Sequence, residues 1–213
     1  MAIHLIIDNS NMVHIKEING VIIAKTITLE TLLEKLQEAL QSNNTVSTPY
    51  LPINTVKYQK INEAYRIAIF YPATTRPYNY HGHVFKDTPF PNLLFIFTVQ
   101  DKRITDARVA AVRDLVMRST TKLYRYPYSH VYNSLQICFG NNVLPDIEEL
   151  TQLPSVCELF LAMECNDDLY SLANKSGLVL RELLETSQGK PFDPDILIET
   201  NNTLEDFFFN DNN

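Results

Sequence analysis

One cysteine in this sequence has neighbours that could make it more than a packing residue. Cys138 is followed by Phe139-Gly140-Asn141-Asn142, a turn-forming set that can bring backbone N–H groups near a sulfur, and preceded by Tyr126-Pro127-Tyr128-Ser129-His130. A cysteine attacks only as thiolate, so its surroundings must favour the anion or supply a base. His130 is the nearest such group, because a protonated imidazole favours the thiolate and either protonation state can donate a hydrogen bond. It lies eight residues upstream, about 26 Å along an extended chain. Contact therefore requires a chain reversal, and Asn133-Ser134 are placed to make one. Cys157 and Cys165 lie in an apolar helical run and read as packing residues.

Other chemistries find little support. The five glycines never cluster, which sets aside a phosphate-binding loop, and no GxSxG or HExxH occurs. His81-Gly82-His83 has no matching third ligand nearby and no CxxC is present, so no metal site and no cofactor are expected. The 18 basic and 25 acidic residues give a net charge of −7 without a Lys/Arg-rich run, which disfavours nucleic acid as a partner. The stretch MAIHLIIDNSNMVHI carries no charged leader before its apolar residues, and no apolar run is long enough to cross a bilayer. With three cysteines, an odd number, the chain reads as a cytoplasmic protein without a disulfide framework.

The elements that must position Cys138 follow from periodicity. Ile3–Ile7, Met12–Ile18 and Val21–Thr28 alternate as strands, with Asn19-Gly20 suited to a hairpin turn between the last two. Thr28 caps a helix carrying Leu29, Leu32, Leu33, Leu36 and Leu40 on one face. Tyr65–Tyr71, Asn92–Gln100 and Arg103–Val112 read as strands, the last two joined through Asp101-Lys102. The Pro- and Thr-rich stretch between them, residues 72–91, lacks periodicity and is expected to be a long surface loop. After the cysteine segment, Pro154 opens a buried helix bearing Val156, Cys157, Phe160, Leu161, Met163 and Cys165, and a second helix spans Ser176–Ser187. Strands followed by helices argue for an α+β fold in one domain: residues 1–28 an N-terminal hairpin extension, 28–195 the core and 196–213 a tail.

The segment LYRYPYSHVYNSLQICFGN resembles a prokaryotic E2-like pattern in which a Tyr-Pro-x-x-Asn-Val-Tyr run leads to Ile-Cys-x-Gly-Asn. The likeness extends in order through LPINTV at Leu51, Tyr71-Pro72-Ala73 with Arg76, FPNLLFIF at Phe90, TKLYRYP at Thr121 and SVCELFLAMEC. It is similar to the PRTRC system protein B group, itself akin to ubiquitin-conjugating enzymes. The resemblance implies a ubiquitin-conjugating-enzyme-like α+β fold: an antiparallel β-meander flanked by helices, with the extra N-terminal hairpin.

The resemblance further implies that Cys138 accepts the carboxyl terminus of a ubiquitin-like protein from an E1-like, ThiF-type adenylating enzyme as a thioester and passes it to an amine. In eukaryotic relatives the Asn of a His-Pro-Asn motif, eight residues before the cysteine, is credited with supporting the oxyanion or ordering the loop. His130 stands at that spacing here, with Tyr128 and Ser129 in place of His and Pro. Asn133 and Asn141 are supporting candidates, and Asp167 or Asp168 would orient or deprotonate the acceptor amine. A catalytically silent E2 variant acting as a scaffold in a plasmid-associated or antiphage complex, and a cysteine hydrolase using Cys138 and His130, are the alternatives.

Overall fold

A computed structural model describes residues 3–7, 10, 12–17, 25–42, 47–170 and 173–209. Its contacts divide the chain into two compact units, Met1–Thr48 and Pro49–Asn213. In the first unit, strands β1 (Ile3–Ile7), β2 (Met12–Glu17) and β3 (Lys25–Thr28) form an antiparallel sheet with β2 in the centre. The expected Asn19-Gly20 turn lies outside the described residues. Helix α1 (Leu29–Ser42) follows directly, and the Thr28 hydroxyl accepts the Thr31 N–H at 3.1 Å, the N-cap that its sequence predicts.

The second unit is built on a six-stranded antiparallel sheet of order β11-β10-β9-β8-β5-β4. Its strands are β4 (Thr55–Ile61), β5 (Ala64–Tyr71), β8 (Asn92–Gln100), β9 (Arg103–Val112), β10 (Lys122–Tyr124) and β11 (Glu199–Thr203). Asp101 and Lys102 both adopt positive φ (50° and 64°), the geometry of the tight turn expected between β8 and β9.

The apolar run of β8 is explained by its two covered faces. Leu93, Phe95, Phe97 and Val99 join a core with residues of helices α2 (Leu153–Ala162) and α3 (Leu180–Ser187), while Leu94 and Ile96 join a second cluster with Leu204, Phe207 and Phe208 of α4 (Leu204–Phe209). Successive strand residues point to opposite faces, so a strand buried on both sides must be apolar at every position.

Three expectations are corrected. Residues 72–91 are not a surface loop but a hairpin of β6 (Thr74–Tyr80) and β7 (His83–Phe90), turning at His81-Gly82 with positive φ at both. Tyr78, Tyr80, Phe85 and Phe90 supply its buried face, and Pro77, Pro89 and a register shift between Arg76 and Tyr78 obscured the alternation. Cys165 lies beyond α2, in an extended segment whose N–H donates to the Asn79 carbonyl (2.8 Å) and whose carbonyl accepts from His81 (3.0 Å). Helix α3 starts at Leu180 rather than Ser176, because the Asn174 side chain accepts from the Ser176 N–H and hydroxyl and so holds a turn there.

Candidate active site

The cysteine segment is held by an incomplete sheet edge. Strand β10 is short and pairs with β9 only where Tyr124 faces Ala111. The earlier part of β9 is taken by residues 135–137 instead: the Val109 N–H donates to the Leu135 carbonyl and the Ile137 N–H to the Ala107 carbonyl, both at 2.9 Å. Cys138 is the next residue, so its position is fixed by the sheet one peptide away.

Residues 130–138 fold back on themselves. Val131 pairs with Ile137, the Tyr132 N–H donates to the Gln136 carbonyl at 2.9 Å, and the Leu135 N–H closes the turn on the Tyr132 carbonyl at 2.8 Å. Asn133-Ser134 form its tip, the reversal that the spacing demands. The Cys138 N–H then donates to the His130 carbonyl at 2.8 Å. Val131 and Ile137 are buried in the core, so the period-two alternation leaves His130, Tyr132 and Cys138 sharing the other face.

The side chain on the sulfur is Tyr132, whose hydroxyl donates to Cys138 Sγ at 3.6 Å. That hydrogen bond raises the phenol above its ordinary pKa of 10.0. Cys138 is half-buried, whereas Cys157 and Cys165 are buried and their thiols are pushed up by burial. Phe139 packs edge-on against Phe160 of α2 (centroids 6.3 Å), and the Asn142 N–H and side-chain amide both close on the Phe139 carbonyl. The turn after the cysteine thus spends these donors on its own carbonyl.

The other expected residues are distributed around this hairpin. His130 is brought to Cys138 through its backbone; both ring nitrogens are enclosed without a hydrogen-bond partner, and burial lowers the imidazole pKa despite the opposing charge of Asp168. Asp168 reaches the hairpin by accepting the His130 N–H on its own carbonyl (3.2 Å), while Asn166 donates to its carboxylate at 2.9 Å. Asp167 faces elsewhere, accepting from the Tyr80 hydroxyl at 2.9 Å with His81 Nε2 at 3.5 Å. Tyr128 is buried against Tyr78, Phe90 and Tyr126 and donates to the Pro89 carbonyl. Asn133 accepts from Arg125 at 2.7 Å, and Asn141 is exposed.

Tyr132 is the residue that sequence reasoning passed over. Its signal was the two-residue step from His130 within a turn centred on Asn133-Ser134, which sets it diagonally across from Cys138. A cleft of about 580 Å³ lined by Thr75, Phe90, Val112, Phe192 and Leu197 contains none of the residues 130–138. Among the described residues, no group of three or more His, Cys, Asp or Glu side chains is arranged to hold a metal ion, and no helix is long and apolar enough to cross a membrane.

The family model described as prokaryotic E2 family D matches residues 29–200. The chain belongs to this family. No curated protein and no solved structure shows significant similarity to it. The family D match spans α1 through the start of β11 and includes the whole cysteine hairpin; β1–β3 precede it and α4 follows it. The mixed α+β architecture, an antiparallel sheet with few helices, is compatible with an E2-like fold. Membership of prokaryotic E2 family D gives the protein a role related to ubiquitin-like conjugation, the setting in which E2-like proteins meet ubiquitin-like proteins and E1-like enzymes.

Proposed function

We propose that the protein is a cysteine-dependent transferase for a ubiquitin-like protein. The Cys138 thiolate attacks the activated C-terminal carbonyl delivered by an E1-like adenylating enzyme, and the donor's leaving group departs as the Cys138 thioester forms. An acceptor amine then attacks the same carbonyl, the C–S bond breaks, the thiolate leaves and the amine's proton passes to solvent. The observation that carries this reading is the placement of Cys138: half-buried, on a hairpin tied to the sheet edge, with a hydrogen-bond donor on its sulfur, inside the region matched to an E2-like family.

In this reading residues 28–195 are the conjugating core, with the N-terminal strands an addition to it. His130, which accepts the Cys138 N–H on its carbonyl, and Asp168, whose carbonyl accepts the His130 N–H, are the supporting residues tied to the cysteine hairpin, while Tyr128, Asn133, Asn141 and Asp167 pack or order the approach. The test is to mix the protein with ATP, an E1-like adenylating enzyme and a ubiquitin-like protein, then run a non-reducing gel. The expected adduct is removed by thiol reagents, lost in Cys138→Ala and retained in Cys157→Ala and Cys165→Ala.

A second reading is favoured by one observation: no nitrogen of His130 hydrogen-bonds the sulfur, although this position matches the relatives' asparagine. A silent E2 variant would bind the ubiquitin-like protein without a covalent link, as a scaffold in a PRTRC-type plasmid or antiphage complex. Absence of any thiol-sensitive adduct, with retained non-covalent binding, selects it.

A further inference from the structure

We propose that Tyr132 is a catalytic residue, the hydrogen-bond donor to the oxyanion that forms on an acyl group carried by Cys138. The proposal rests on the reading of Cys138 as an acyl carrier and adds to it a residue that the sequence pattern leaves without a role. Three observations lead here. The Tyr132 hydroxyl contacts the reacting sulfur at 3.6 Å. The imidazole of His130 gives that sulfur no hydrogen bond, both its nitrogens being enclosed without a partner. The Asn142 amides are turned onto the Phe139 carbonyl.

The geometry suits the chemistry of each stage. In the resting protein the phenol donates to sulfur. Acylation turns the sulfur into a poor acceptor and places a carbonyl oxygen two bonds from it, within the sweep of the same hydroxyl. When an amine adds, negative charge develops on that oxygen, and a donor aimed there lowers the barrier. As the tetrahedral species collapses, the C–S bond breaks and the electron pair returns to Sγ, where the phenol again donates. The phenol keeps its proton throughout; the proton lost is the amine's, and it goes to buffer.

Tyr132 is 45 % exposed, so deleting its hydroxyl lets water substitute in part. The expected loss is therefore about tenfold, below the hundredfold or more seen for donors in dry sites. The ring itself remains in Tyr132→Phe, which at an exposed hairpin position leaves the fold intact.

The experiment uses the full chain and a synthetic acyl donor, S-phenyl thioacetate. The Cys138 thiolate attacks its carbonyl, thiophenolate leaves, and intact mass with a Cys138→Ala control locates the acetyl group. Hydroxylamine then removes it as acetohydroxamate, and the single-turnover rate is compared between wild type and Tyr132→Phe from pH 7 to 11. We expect deacylation to be about tenfold slower in Tyr132→Phe at pH 7.5, with the difference collapsing as the pH passes the ordinary phenol value of about 10, because the acylated sulfur no longer holds that value up. A ratio below about twofold, or one unchanged through pH 11, overturns the assignment. So does a loss confined to iodoacetamide alkylation of the free thiol, which would place the phenol's effect on the resting sulfur alone. Failure of native partners to load Cys138 would sink the transferase reading without deciding this one, because the acetyl assay needs no partner.

Discussion

The main-chain N–H of Cys138 donates to the carbonyl of His130 at 2.8 Å, so the residue eight positions upstream governs the cysteine through its backbone. His130 itself has φ 67°, in the left-handed region that side chains other than those of Gly and Asn enter at a cost. Leu135, at the other end of the turn, has φ 68°. The hairpin holds two such residues because the β9 edge and the buried Val131–Ile137 pair over-determine its path.

His130→Asn tests whether the imidazole or the backbone matters. Burial lowers the imidazole pKa in the folded protein, so the unfolded chain takes up this proton first as the pH falls. The stability tied to a neutral His130 is present above the ordinary value near 6.5 and declines as the pH drops below it. Asparagine tolerates the positive φ and has no proton to gain. Urea midpoints at pH 7.5 and 5.5 should show a smaller acid-induced loss in His130→Asn than in wild type. Equal losses would mean that the enclosed nitrogens are hydrated and carry no penalty.

Selective alkylation follows from the burial of the thiols. Cys157 is fully buried and its thiol is pushed far up by burial, and Cys165 is buried with its thiol raised for the same reason. Thiolate population and access both control the rate. Iodoacetamide at pH 7.5 should therefore add one group to the native protein, mapped by peptide mass to Cys138. Modification of Cys157 or Cys165 on the same timescale would contradict the packing of α2 and the segment after it.

Much of this architecture was legible where local pattern and tertiary need coincide. The alternation and turn residues of β8 and β9 located both strands and the Asp101-Lys102 turn, and Thr28 marked the start of α1. Pattern failed where pairing depended on distant partners. Strands β10 and β11 are short, and Glu199–Thr203 is polar throughout, so they are strands through pairing with each other and, for β10, with β9 at Tyr124 and Ala111. The β6–β7 hairpin was hidden because Pro77 and Pro89 interrupt a run whose tyrosines and phenylalanines nonetheless face the core. At the site, the chain reversal followed from spacing alone. Tyr132 became visible only when the hairpin register set it beside the sulfur.

Strands β5 and β6 are tied to α2 by a polar cluster whose strength should depend on pH. Arg76 Nη2 donates to Glu158 Oε2 at 2.7 Å, and the Tyr71 hydroxyl, which accepts from Arg76 Nη1 at 3.0 Å, donates to Glu158 as well. Burial pushes the Glu158 carboxyl up, but these hydrogen bonds outweigh it and the net pKa is lowered; Tyr71 is pushed up to about 12, burial first and its bond to Glu158 second, so it remains a donor. A depressed carboxylate stabilises the fold above its ordinary range and loses that contribution as the pH falls through its lowered value. Because Glu158 is half-exposed, a double-mutant cycle of Arg76→Gln and Glu158→Gln should give a coupling of roughly 0.2–1 kcal/mol at pH 7. The coupling should shrink toward zero once the pH falls below that lowered value. A coupling that persists there would assign it to packing rather than charge.

Helix α4 should control both the stability of the sheet and the setting of the cysteine hairpin. Phe208 is fully buried, and Arg66 Nη1 and Arg108 Nη1, on the outer sheet face, donate to the carbonyls of Phe208 and Phe207 at 3.0 and 3.3 Å, meeting acceptors that the helix end leaves open. Leu135, at the turn of the cysteine hairpin, belongs to the same cluster as Phe207 and Phe208. Phe208→Ala removes a large side chain from a packed cluster, an expected loss of about 3–5 kcal/mol in urea unfolding. Because Leu135 loses part of its packing too, Cys138 alkylation in the absence of denaturant should accelerate in Phe208→Ala. The surface control Phe209→Ala, at a side chain 45 % exposed, should change both readouts far less. An unchanged alkylation rate in Phe208→Ala, despite the lost stability, would show that the β9 edge alone holds the hairpin.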